Sequence, residues 1–364
     1  MLAIGPTYHR ITNRPARALT VLAAALACAA AAPPGAAATP DLSISGGGFG
    51  HGVGMSQQGA LGYAEHGWSY QQILAHYYTG TAIGAAPANT QVRVLVANKV
   101  RKVALDTYVR GVVSAEVSSS WPLAALEAQA VASRTYAVTA HAGGSKFDVY
   151  ADTRSQVYRG VAAQTPQTDA AVAATAGQIL TYAGKPAVTY FFASSGGRTE
   201  NVQNSFLGSQ PEPWLRGVVD RYERGNLHTW RLELGFAAAA AKLRGLVRGH
   251  FEGIEVLKRG FSPRIVAANV LGSGGRTPVS GPMLAERLGL YSTWAYFSTS
   301  EGQQTTPEPD RSGWSSLRPP GPESPPVPAP AASAESGGAG VGAPDSASAA
   351  SNEATSGGVG SPGA

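Results

Sequence analysis

Cysteine is all but missing from these 364 residues. The single one, Cys28, lies in an N-terminal stretch that opens with Arg10, Arg14 and Arg17, runs apolar from Ala18 to Ala32 and reaches Ala36-Ala37-Ala38. That three-part layout reads as a secretory signal peptide over residues 1–38. A chain processed there keeps no cysteine, which excludes a disulfide framework, a thiolate nucleophile and a cysteine-based zinc site. Cleavage ahead of Cys28 as a lipoprotein is disfavoured, because Leu26 stands one place too close to the cysteine. No later segment approaches the roughly 18 apolar residues that a membrane span needs. The expectation is an exported, cell-envelope or secreted protein with no transmembrane segment.

Charge is scarce too, at 14% of residues, with a net +5. Three of those positive charges are leader arginines, and the leader carries no acid, so the rest of the chain holds only +2. Such a balance does not point to nucleic acid. Residues 302–364 are nearly all Pro, Ser, Gly, Ala, Thr and Glu. They cannot bury enough apolar surface to offset chain entropy, and the segment reads as a disordered tail or tether. Between leader and tail, residues 41–300 are long enough for one large domain with a substantial core. No fixed-period repeat runs through them.

Glycine, by contrast, is abundant. In "SISGGGFGHGVGMSQQGALGYAEHGWS", Gly48, Gly50, Gly52 and Gly54 alternate with Phe49, His51, Val53 and Met55. No frame fits the dinucleotide fingerprint, the phosphate loop or the G-x-S-x-G nucleophile elbow. An extended segment of this kind has one face without side chains, on which a ligand or another backbone can lie. Spacing alone leaves those two readings open.

The remaining pattern predicts an α+β order. Two short helices lie in "MSQQGALGYAEHG" and "SYQQILAHYYTG", the second burying Ile73, Leu74 and Tyr77. A strand at Gln91 to Ala97 pairs as a hairpin with "VRKVAL". Helices follow in "LDTYVRGVVSAEV" and from Pro122 to a closing glycine, then near Thr165 to Ala176. Strands are expected in "QILTYAG" and "AVTYFFASS", and a helix and strand in the segment ending "MLAERLGLYSTWAYF". Strands cluster and do not alternate strictly with helices, which favours α+β over α/β.

Glu116 is the candidate acid. It ends a helix whose late residues include Val112, Val113, Ala115 and Val117, and a carboxyl among apolar neighbours has its pKa raised toward what a general acid needs. On the next helix Arg134 stands in line with Leu126 and Ala130, so it requires a partner, for which Glu116 is one candidate. Gln129, Ser133 and Tyr136 form a second, polar stripe on that helix. A merely structural Glu116–Arg134 ion pair fits the spacing equally well.

"YVRGVVSAEVSSSWPLAALEAQAVASRTYAV", "DTRSQVYRGV", "AATAGQILTYAGKPAVTYFFASSGGRTEN", "VSGPMLAERLGLYST" and "GHGVGMSQQGALGYAEHG" together resemble the stage II sporulation protein D and amidase-enhancer family of bacterial cell-wall proteins. The resemblance implies a single large two-lobed α+β domain with a glycan-binding cleft. It further implies lytic transglycosylase activity on peptidoglycan glycan strands, with Glu116 as acid and Arg134 supporting its carboxylate. His51, Gln57, Gln129, Tyr136, Gln156, Tyr158, Ser194, Ser195, Gly196, Gly197 and Asn201 would contact the sugars, the glycine face lying against the strand. A non-catalytic enhancer of an amidase, or of another wall hydrolase, is the competing reading.

Three departures matter. The glycine-histidine motif stands before the first strand of the domain, whereas sporulation-type members carry it near the end. A permutation of that kind requires residues 43–60 to lie beside Ser292 to Ser298. Some members bind zinc through cysteines near the stretch occupied here by Ala151-Asp152-Thr153-Arg154-Ser155, and the histidines form no ligand-spaced pair, so neither metal nor cofactor is expected. Glu127 replaces a frequent lysine, and is expected in solvent unless it points toward Glu116.

Overall fold

The computed structural model describes residues 41–299; the leader and the tail lie outside the described residues. All that is described belongs to one unit of the chain. The order begins β1 (Asp41–Gly47), β2 (Met55–Ser56), α1 (Gln57–Glu65), α2 (Tyr70–Tyr77), β3 (Ala82–Ala85), β4 (Gln91–Val96), β5 (Lys99–Ala104), α3 (Leu105–Glu116) and α4 (Leu123–Thr139). It continues with β6 (Val149–Tyr150), a 3-10 turn at Gly160–Ala163, α5 (Pro166–Ala174), β7 (Gln178–Tyr182), β8 (Lys185–Pro186), β9 (Phe191–Phe192) and α6 (Val202–Ser205). The last part is β10 (Thr229–Gly235), α7 (Phe236–Lys242), β11 (Phe251–Arg259), β12 (Ile265–Gly272), β13 (Gly275–Ser280), α8 (Gly281–Leu288) and β14 (Ala295–Thr299). The result is a mixed α and β fold of small sheets: β10-β1-β14, β11-β12-β13, β5-β4-β6, β3-β7-β8 and the two-residue pair β2-β9.

Local chemistry accounts for half of the eight described helix starts. Ser56, Ser69, Thr165 and Ser280 each accept a backbone N–H from the first turn, and Ser69 with Gln72 closes a reciprocal capping box. The second helix buries Ile73, Leu74 and Tyr77, as its periodicity requires. The hairpin β4–β5 pairs in the expected place, Gln91 opposite Ala104. Helix α4 buries residues all round: Ala128, Val131 and Ala132 join one apolar cluster with α1 and α2, while Leu126, Ala130 and Ala137 join another with α3 and β4. A helix buried on every side belongs inside the molecule, and α4 is the axis about which α1, α2, α3 and α5 are arranged. It ends at Ala140 in extended backbone rather than at a glycine.

Two expectations about strands meet different outcomes. Strand β1 lies between β10 and β14 with Ser43 opposite Ser298 and Ile44 opposite Phe297, and Ser292 Oγ donates to Gly47 O at 2.7 Å. The start of the glycine run therefore does sit beside residues 292–298. The segment "AVTYFFASS" keeps only Phe191–Phe192 as strand. The rest follows the glycine run through single bridges, Phe49 with Ser194 and Val53 with Glu200, because alternating glycines at positive φ give no continuous ladder.

Candidate active site

Glu116 is the last residue of α3, half-buried, where the helix dipole already disfavours a negative charge. The Val157 N–H donates to its Oε1 at 2.6 Å and the Gln57 side-chain amide donates to Oε2 at 3.2 Å. Burial raises its pKa above the usual carboxylate range, and these two donors oppose the rise only in part. No neighbouring charge contributes. The acid is tuned by desolvation, as the apolar end of α3 foretold.

Each donor is delivered by a distinct piece of local structure. Gln57 is the first residue of α1, directly after the Ser56 cap, and Gln58 N–H is tied to Ala193 O at 2.9 Å. Val157 lies in the loop "DTRSQVYRG", which is held against α3. Gly111 makes that approach possible: a Cβ there would stand 2.6 Å from Tyr158 Cε2 and 3.0 Å from Gly160 Cα. Tyr158 stacks on Tyr108 with ring centroids 5.0 Å apart, and Arg159 N–H donates to Gly111 O at 3.1 Å. A glycine in a helix interior costs helix stability. Here it sets the distance between α3 and the loop.

Two cavities share His51 of the glycine run. One, of about 330 Å³, has Tyr136, Tyr190, Phe191 and Phe206 as aromatic walls, with Thr153, Arg154 and Ser155 on another side. The second, of about 290 Å³, runs past Ser205, Glu286, Tyr291 and Thr293. His51 and Phe206 line both, so the two meet there. Glu116 lines neither; its link to the first is Ser155, two residues before Val157. His51 is neutral at physiological pH, since burial, and then the Arg264 guanidinium, push its pKa down to about 4. Its Nδ1 accepts the Val53 N–H at 3.1 Å, and rings of Phe206 and Phe192 flank it at 5.0 and 5.4 Å.

The glycine face is not open. Gly52 has φ +87°, and a Cβ there would lie 2.5 Å from Arg264 Nε; at Gly48 it would lie 2.6 Å from Ser194 O. The protein's own segment from Tyr190 to Ser195 and the buried Arg264 occupy the bare face, so no sugar strand lies along it. Of the two readings the spacing left open, the second backbone is the one realised.

Arg134 also differs from expectation. Its side chain is fully buried, as the apolar row implied, but its partner is Asp106 in the first turn of α3, Nε to Oδ1 at 2.6 Å. Its remaining donors reach Gln178 O at 3.1 Å and Val172 O at 3.3 Å. Arg134 thus ties α3, α5 and β7 to α4, and Glu116 is not among its partners. A role for it in supporting the Glu116 carboxylate is set aside.

Several expected sugar contacts are spent internally. Gln129 donates to Ser133 Oγ at 3.0 Å, Gln156 to Ser133 O at 3.2 Å, and both are buried. Ser194 Oγ donates to the buried Glu223 at 2.8 Å, Ser195 Oγ accepts from Gly197 N–H at 3.0 Å, and Gly196 presses on the Gly47–Gly48 backbone. Asn201 Oδ1 accepts the Gly217 N–H at 2.8 Å. None of these residues lines either cavity. His51 and Tyr136 do line a cavity, Gln57 reaches the acid, and Tyr158 buttresses the loop. Glu127 is half-buried and its carboxyl is raised by burial with no contribution from Glu116.

Missed by sequence reasoning were Val157, whose contribution is backbone, and the aromatic walls Tyr190, Phe191 and Phe206. The run "TYFF" carried a signal for the first two, since three consecutive aromatic residues in a strand cannot all face one core. Glu200 was missed as well. Its buried carboxylate accepts from the Asn201, Phe261 and Ser262 N–H groups, the Asn204 amide and the Ser262 hydroxyl.

Fold and site together define a mixed α and β protein in which the desolvated Glu116 carboxyl is clamped by two donors, one of them on the loop whose Ser155 lines an aromatic-walled cavity. Residues 96–182, which contain α3, α4 and the Val157 loop, match the stage II sporulation protein family. The chain is 36% identical over 140 residues to an uncharacterized protein of Brachyspira hyodysenteriae, covering 38% of each chain. It is 34% identical over 197 residues to stage II sporulation protein D of Bacillus subtilis, covering 46% of this chain and 57% of that one. A further 45 residues, 12% of this chain, are 56% identical to the amidase enhancer of Bacillus subtilis, of which they cover 6%. The chain is thus similar, over part of its length, to the stage II sporulation protein family and to an amidase enhancer, and its matches span less than two thirds of these relatives' own lengths.

Proposed function

We propose that the protein acts on the bacterial cell wall as a lytic transglycosylase, cutting the bond between N-acetylmuramic acid and N-acetylglucosamine in peptidoglycan stripped of stem peptides. The observation that carries this reading is Glu116: one acid, raised by burial, with a donor on each carboxylate oxygen and no charged neighbour shifting it. A hydrolysing glycosidase normally needs two carboxylates, the second as nucleophile or to activate water. One carboxyl suffices when the nucleophile is internal to the sugar. Protonated Glu116 gives its proton to the glycosidic oxygen as the bond from muramyl C1 breaks, and the N-acetylglucosamine leaves as an alcohol. The resulting carboxylate takes the proton of the muramyl C6 hydroxyl, O6 bonds to C1, and a 1,6-anhydro ring closes with Glu116 protonated again.

In this reading residues 41–300 form one domain with two lobes, and the joined cavities at His51 and Phe206 belong to its glycan cleft. Tyr136, Tyr190 and Phe206 offer ring faces and edges to sugars, and Arg154 and Ser155 offer donors. The leader exports the chain to the envelope, and residues 302–364 serve as a tether. The stretch shared with an amidase enhancer supports a second reading, a glycan-binding partner of an amidase that cuts nothing itself.

The test is to incubate the protein with purified glycan strands, intact and amidase-stripped, and to examine the products by mass spectrometry. Anhydromuramyl ends that vanish in Glu116→Gln are expected. Reducing ends would mean hydrolysis, and binding without cleavage would leave the amidase-enhancing role.

A further inference from the structure

We propose that Gln57 is the positioning residue of Glu116, its side-chain amide donating to the carboxylate and, turned over, accepting from the carboxylic acid, so that one partner serves both halves of the proton cycle. This rests on the reading of Glu116 as acid and base, and it takes Gln57 out of the set of sugar-binding residues. The geometry assigns the two oxygens different work. Oε1 faces the Val157 N–H at 2.6 Å, a group that can only donate, so the proton of the acid form belongs on Oε2. Oε2 faces Gln57 at 3.2 Å. A primary amide is the side chain suited to that place, because it carries a donor and an acceptor of nearly the same size at one end.

The rest of Gln57 is held still. Its backbone follows the Ser56 cap, whose Oγ accepts the Gly59 N–H at 3.1 Å, and the β2–β9 pair fixes Met55 and Ser56 against Phe191 and Phe192. The residue is only 8% exposed, which leaves little room for solvent at the amide. What stays soft is the terminal torsion, whose two-fold profile lets the amide exchange its oxygen and nitrogen at small cost. In the resting acid, Oε2–H is kept by the amide oxygen. When that proton moves to the leaving oxygen, the amide turns and its N–H meets the new carboxylate. The glycine-histidine motif then serves catalysis by fixing one glutamine, not by offering a bare surface.

Glu116 and Gln57 can be followed by NMR in the full chain, with carboxyl-labelled glutamate and nitrogen-labelled glutamine, as pH is raised from 4 to 9. Tyr108 on the same helix feels the Glu116 charge and is itself raised by burial, while Asp220, which faces the Ser56 hydroxyl beside Gln57 and is pushed up to about 7, also titrates in this window, so the same titration is run in Asp220→Asn to leave the response to Glu116. The expected result is that the Gln57 amide resonances move with the same midpoint as the Glu116 carboxyl and stop moving in Glu116→Gln. In Gln57→Leu the Glu116 midpoint rises by about one unit, because the bond lost to the carboxylate is stronger than the bond lost to the neutral acid. Gln57→Leu should also lower kcat for anhydro-sugar formation with KM little changed. An amide blind to the titration, or a Glu116 midpoint the same in Gln57→Leu, overturns the proposal. If Gln57→Leu does not fold, the wild-type amide response decides alone. Coupled titration in a protein that makes no anhydro ends sinks the transglycosylase reading while the pairing stands.

Discussion

Replacing Arg134 by methionine separates a structural arginine from a catalytic one. The guanidinium is fully buried and joins Asp106, Gln178 O and Val172 O, so methionine keeps the apolar stem and removes the donors. Breaking a buried ion pair from one side costs about 3–5 kcal/mol. Asp106 is 40% exposed and can rehydrate, which places the loss near the lower end, about 3 kcal/mol. Two carbonyls left without their donor offset part of that relief. For a domain of this size a loss of about 3 kcal/mol lowers Tm by roughly 6–12 °C. Differential scanning calorimetry at neutral pH reads that shift, and the NMR titration of Glu116 in the same variant should be unchanged. An unaltered Tm together with a displaced Glu116 midpoint would refute the placement of Arg134 and restore it to the acid.

Two further outcomes are expected. Asp220 is fully buried and its carboxyl is pushed up to about 7, mainly by burial, with Glu223 adding to the rise and the Ser195, Tyr77 and Ser56 hydroxyls opposing it. None of those hydroxyls makes a well-aligned bond to it. Its folded pKa lies above the ordinary 3.8, so its contribution is complete below about pH 4 and is lost as pH rises through 7, by roughly 4 kcal/mol. Urea midpoints of Asp220→Asn should lack that decline between pH 4 and 7; a variant that follows the wild-type slope would sink the assignment. Gly111→Ala inserts a methyl against Tyr158 and Gly160, which should cost about 1–3 kcal/mol and lift the loop that carries Val157. Glu116 would then titrate higher for want of the Val157 N–H, and an unmoved midpoint would show that the loop is not held by this contact.

The limits of the sequence are best seen at particular residues. Ser69 with Gln72, Thr165 before Pro166 and the i, i+1, i+4 face of Ile73, Leu74 and Tyr77 announce their helices, because caps and periodicity act within one or two turns. Glu116 as a desolvated acid was legible for the same reason, since its apolar neighbours are its own helix. Glycine alternation was ambiguous: it reports that something comes close, and the chain itself is what comes close, through Tyr190 to Ser195 and Arg264.

The sequence by itself determined the main helices, the hairpin and a carboxyl placed to lose its water. Only the tertiary structure decided which groups that carboxyl meets. Its donors lie 59 residues before it and 41 after it, and one of them is a backbone N–H that no residue type reveals. Arg134 shows the same division, for its row on α4 fixes that it is buried, but Asp106 and Glu116 stand at opposite ends of α3, and only the way α3 crosses α4 selects between them. Local patterns follow from bonds a few residues apart, whereas partners follow from packing that every element of the fold settles together.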